Sequence, residues 1–123
     1  MRRLLGTLLA AAACALAAAP AADARSSYCS PTGDYCYGVQ QRDGVWRISL
    51  HTFSFRGRVR TCVTAPDGSR ACRRFRVREQ RGGIYGFRVR WSRWFPNRGL
   101  GRYRVTFAVG GSKIGPGVSF RRG

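Results

Sequence analysis

The stretch RGRVRTCVTAPDGSRACRRFRVR (56–78) carries two runs of alternating apolar and polar residues, separated by Ala65-Pro66-Asp67-Gly68. Alternation at period two marks a strand with one buried face. Pro66 presets φ for a turn and Gly68 accepts a left-handed conformation, so the break reads as a three-residue hairpin loop. A loop of that length sets Cys62 directly opposite Cys72, where a cross-strand disulfide is geometrically possible. Parity then sorts the hairpin. Phe55, Val59, Thr61, Val63, Phe75 and Val77 share the inward side; Arg56, Arg58, Arg60, Arg74, Arg76 and Arg78 share the outward side with the two cysteines. Arg73 is the misfit: its parity points inward, so it must snorkel or sit at a bulge.

The same texture continues outward from this hairpin, and no segment carries a 3.6-residue period. Seven strands are expected, at about 35–42, 45–52, 57–64, 69–78, 84–91, 101–109 and 113–121. Asp43-Gly44 suits a two-residue hairpin turn, and Gly110-Gly111-Ser112 another short one. On the sixth strand Tyr103, Val105, Phe107 and Val109 share the inward side, which leaves Arg102 and Arg104 outside. Lys113 and Arg121 on the last strand fit the same outward parity.

The N-terminus reads differently. Arg2 and Arg3 precede an apolar run from Leu4 to Ala19, and Ala22-Asp23-Ala24 supplies a small-x-small cleavage signal. That is the pattern of a secretory signal peptide over 1–24, leaving one domain over 25–123 and no membrane-spanning segment after cleavage. Outside the leader the cysteines are Cys29, Cys36, Cys62 and Cys72, an even number that in an exported chain reads as two disulfides. Of the three possible connectivities, 29–36 with 62–72 is preferred.

The chain has 23 Lys and Arg against 5 Asp and Glu, a formal net charge of +18. Arginine over lysine is what the codons of a GC-rich genome write, so that ratio says little about recognition. Acid depletion has no such explanation and is the informative half of the imbalance. Such a balance suits an anionic partner.

The segment FPNRGLGRYRVTFAVGGSKIGPGVSF (95–120) resembles the E–F corner, strand F and strand G of immunoglobulin-like domains. The resemblance makes Tyr103 a tyrosine corner, whose phenol bonds back to nearby backbone. The Cys…Trp…Cys spacing of antibody domains is absent, and a fibronectin type III-like layout, with A, B, E facing C′, C, F, G, fits better. The expected fold is therefore all-β: a seven-stranded antiparallel immunoglobulin/fibronectin-like sandwich stapled by two disulfides. If C′, C, F and G form one sheet, its outer side carries a contiguous basic patch.

No catalytic constellation is legible, and neither a cofactor nor a metal is expected. His51 is the single histidine, and Asp34, Asp43, Asp67 and Glu79 are too few and too scattered in sequence for paired-carboxylate chemistry. Trp94 and Phe95 either plug the end of the fold or offer a stacking platform beside Arg93 and Arg98. The expected function is a secreted cationic binding domain, with Arg56, Arg58, Arg60, Arg74, Arg76, Arg78, Arg102 and Arg104 engaging an anionic polymer or the cell-envelope surface. That polymer could be nucleic acid, wall polyphosphate, acidic glycan or lipid headgroups; no small-molecule substrate is expected. The competing expectation is a structural or protein-interaction module that docks an acidic protein partner. The expected location is extracellular, with retention at the envelope, if any, electrostatic.

Overall fold

The computed structural model describes residues 25–123, so the signal peptide expected over 1–24 lies outside the described residues. The described chain is all-β apart from a single helical turn. Its strands are β1 (Ser27–Cys29), β2 (Tyr35–Arg42), β3 (Val45–Thr52), β4 (Arg58–Thr64), β5 (Arg70–Arg76), β6 (Arg78–Glu79), β7 (Tyr85–Arg90), β8 (Gly101–Val109) and β9 (Ser112–Arg122), with the turn α1 (Trp91–Trp94) before β8. They form two antiparallel sheets, one ordered β1-β2-β3-β7-β6 and the other β5-β4-β8-β9. Nine strands thus replace the seven expected. The additions are β1 and β6, three and two residues long, too short to leave a periodic signature.

The turns behave as their residues dictate. Asp43 and Gly44 both take positive φ, 52° and 75°, the requirement of a two-residue turn whose twist matches its strands. In the β4–β5 loop the Ser69 amide and hydroxyl donate to Asp67 Oδ1 at 2.9 and 2.6 Å. These bonds hold the Asp67 carboxyl below the usual carboxylate range. The loop closes with Gly68 N donating to Ala65 O, and β4 and β5 pair in the expected register, Cys62 opposite Cys72. Both disulfides follow the preferred connectivity, Cys29–Cys36 and Cys62–Cys72.

The core lies between the sheets. One contributes Tyr37, Val39, Ile48, Leu50 and Phe87, the other Val59, Val63, Phe75, Tyr103, Val105, Phe107, Val118 and Phe120. Aromatic rings bridge the gap: Tyr37 meets Phe107 at 4.4 Å between centroids, and Trp91 meets Tyr103 at 4.8 Å. The Tyr37 hydroxyl donates to Pro116 O, with Ile114 O at 3.3 Å, tying β2 to β9 of the other sheet. Burial pushes the Tyr37 phenol pKa well above its ordinary value. Tyr103 is fully buried; its hydroxyl donates to Gly99 O at 2.8 Å and accepts from Arg98 N at 2.9 Å. The loop ahead of β8 is thereby pinned to the strand.

Candidate anion-binding face

Register places the cations. Across β4 and β5, Arg58 stands opposite Arg76, Arg60 opposite Arg74, and Thr64 opposite Arg70. Thr64 also pairs with Arg104 on β8, and Arg102 of β8 pairs with Arg121 of β9. Ala108 is flanked by Arg60 on one side and Lys113 on the other. Alternation along each strand sends all of these to the side away from the core. The outer surface of the β5-β4-β8-β9 sheet therefore carries Arg58, Arg60, Arg70, Arg74, Arg76, Arg102, Arg104, Lys113 and Arg121. None of the four Asp and Glu residues of 25–123 lies in a strand of this sheet.

Six of the eight expected site residues stand on this face, and two do not. Arg78 was assigned to the strand of Arg74 and Arg76, but that strand ends at Arg76. Val77 donates its amide to Gly57 O, the chain crosses to the other sheet, and Arg78 pairs with Gly86 in β6–β7. Arg56 precedes β4 and is turned aside at Gly57, whose φ is +95°. Its guanidinium lies 3.4 Å from the centroid of the Tyr85 ring on β7. Arg70, Lys113 and Arg121 join those six on the face. Arg73, inward by parity, escapes because β5 is an edge strand: it is exposed, and its Nε donates to Trp94 O at 3.3 Å.

Two features shape the face. Ala108, Gly110 and Gly111 leave a hollow of about 370 Å³ floored by small residues and walled by Arg58, Arg60 and Arg74. Beside it, the Cys62–Cys72 bond locks β5 to β4 in the middle of the arginine rows. On β8, Arg104 lies over Gly117, where a Cβ would come within 2.9 Å of its Nε. Positions on neighbouring strands or two residues apart along one are about 5–7 Å from each other, and unit charges at that spacing set the scale of the repulsion. Each such pair costs about 0.6–0.8 kcal/mol in water before screening.

No protein-family model, curated protein or solved structure matches this chain. The functional assignment therefore rests on these side chains.

The opposite sheet is not devoid of charge. Arg47, Arg88 and Arg90 share the outward parity of β3 and β7, with Arg47 directly opposite Arg90. They are fewer and are interspersed with Ser49, Gly38 and Gln40. His51, half-buried, sits on that surface with its ring against Gly86, where a Cβ would lie 3.2 Å from its Cδ2. Among the described residues no helix is long and apolar enough to cross a membrane.

The WSRWFPNR segment divides its aromatics. Trp91 and Phe95 are each 4% exposed and close the end of the core, whereas Trp94 stays 38% exposed. Phe95 thus takes the plug position expected for the end of the fold, and Trp94 is left partly open to solvent.

Proposed function

We propose that this chain is a secreted cationic binding domain, built on an immunoglobulin/fibronectin-like sandwich, that holds anionic polymers on the outer face of its β5-β4-β8-β9 sheet. The observation that carries the proposal is the cross-strand pairing of like charges, Arg58 with Arg76 and Arg60 with Arg74, beside a hollow lined by Arg58, Arg60, Arg74, Ala108 and two glycines. Like charges placed directly opposite each other destabilise a sheet. Solubility needs far less charge than this. A polyanion relieves the repulsion, releases its own counterions, and accepts the charge-assisted bonds that guanidiniums offer. The signal-like leader and two disulfides favour an extracellular setting. The sandwich assignment is supported by the sheet composition: β2, β3 and β7 correspond to A, B and E, and β5, β4, β8 and β9 to C′, C, F and G. The bonds of the Tyr103 hydroxyl to Gly99 and Arg98 fit a tyrosine corner. The domain binds rather than catalyses.

The test is a salt titration with a mixed-sequence DNA duplex. Contact with five or six phosphates gives a log–log slope of about −4.5 to −5.4. Reversing Arg58, Arg76 and Arg104 together to Glu abolishes that binding. A flat salt response overturns the proposal. So does full affinity in the triple variant, which would favour docking of a protein partner elsewhere on the surface.

A further inference from the structure

An aromatic ring adjoins the edge strand β5 on the side away from the arginine rows. The ring of Trp94, in α1, meets that of Phe75 of β5 at a near-right angle, with centroids 5.6 Å apart at 83°. Phe75, itself packed against the buried Phe95, backs it from the core side, while 38% of the residue remains open to solvent. The arginines close in from the rest. Arg93 places its guanidinium carbon 5.5 Å from the Trp94 ring centroid, and Arg73 reaches from β5 to bond the Trp94 carbonyl. On the other side of the same strand stand Arg74 and Arg76. An indole fixed by core contacts costs little ordering when something flat stacks on it.

From this arrangement we infer that the anionic polymer is a single-stranded nucleic acid, with an unpaired base stacked on Trp94 and its flanking phosphates held by Arg73, Arg74, Arg76 and Arg93. The inference rests on the anion-binding reading of the face and adds the identity of its ligand. The chemistry around the ring separates a base from a sugar. Guanidiniums only donate hydrogen bonds, and Trp94 has those of Arg93 and Arg73 beside it with the Phe75 ring behind. Nothing among them accepts from the hydroxyls of a pyranose, whereas phosphate oxygens and base acceptors need donors alone. Base stacking on an aromatic platform beside a cationic track is the general mode for single strands, and a duplex keeps its bases out of reach.

The experiment compares three probes of equal charge number on the secreted chain: oligo(dT), an abasic deoxyribose-phosphate chain, and a sulfated heparin oligosaccharide. Oligo(dT) binds about 5- to 150-fold tighter than the abasic chain, the range that one stacked base supplies. Trp94→Ala removes that preference and leaves abasic-chain affinity unchanged, while Trp94→Phe keeps the ring and part of the preference. Oligo(dT) also quenches the tryptophan emission of the native chain, and Trp94→Phe suppresses the quench. Equal affinity for the dT and abasic chains overturns the inference while leaving the anion-binding face standing. A Trp94→Ala loss confined to the heparin probe overturns it in favour of a glycan platform. A Trp94→Ala loss shared equally by all three probes overturns it in favour of a purely structural ring. Absence of salt-dependent binding by any probe overturns the face itself.

Discussion

Arg60 and Arg74 face each other across β4 and β5, two positions from the Cys62–Cys72 bond in the same pair of strands. The pairing of two cations is unfavourable for the sheet and favourable for an anion, so stability and binding oppose each other at this site. Arg74→Glu converts the repulsion into a cross-strand attraction. The variant should gain about 0.5–1 kcal/mol of stability at low ionic strength, fading as salt is added, and should lose affinity for polyanions. Thermal melts across a salt series, paired with a heparin-column elution, read both. A loss of stability at low salt would refute the argument.

The two disulfides should respond differently to salt. Each closes a short span, with sequence separations of 10 and 7, and chain entropy alone assigns each about 2–3 kcal/mol. Cys62–Cys72 also holds an arginine-lined edge strand against its neighbour. Replacing both of its cysteines by serine should therefore cost most in dilute buffer and less at high salt. The corresponding Cys29 and Cys36 double variant, which frees only β1, should show little salt dependence. Denaturant midpoints at two ionic strengths make the comparison.

High pH should unfold the domain through its buried phenol. Below about pH 10 the Tyr37 proton is held in both states, so no stability difference arises from it. Above that the unfolded chain sheds the proton and the folded one keeps it, because burial raises the folded pKa. The unfolded state then binds fewer protons, and stability falls with rising pH, approaching about 1.4 kcal/mol per pH unit. Tyr37→Phe should flatten that decline while lowering stability at neutral pH, since Pro116 O loses its donor. Urea midpoints between pH 8 and 11.5 would check it; equal slopes in the two proteins would contradict it.

Much of this architecture was legible in the residues because its signals are local. Asp43-Gly44 sets one hairpin, and β2 and β3 run over the positions alternation assigns, 35–42 and 45–52. Pro66, Asp67 and Gly68 fix the register that joins Cys62 to Cys72 and turns Arg58, Arg60, Arg74 and Arg76 outward. What stayed hidden depends on distant backbone. The bond from Val77 N to Gly57 O ends β5 two residues before alternation does, and so carries Arg78 to the other sheet. Gly57 carried a signal that could have diverted Arg56, since glycine at a strand start permits the positive φ that turns the chain. Nothing in the sequence separates Trp94 from Phe95. Only the edge of β5, where Phe75 receives both, buries one and leaves the other partly exposed.

β5 is an outermost strand, with one row of backbone amides and carbonyls left without a ladder partner, and four of its seven residues are arginine. Those side chains guard the open edge, since a second copy approaching it meets the same sign of charge. If the face holds a polymer as proposed, cancelling Arg74 and Arg76 would remove the guard together with the repulsion. Self-association would then be coupled to occupancy: copies crowded along one strand of polymer would lose the barrier to joining sheets at the moment they are brought close. The fold thus keeps itself dispersed by the same groups through which it would be gathered.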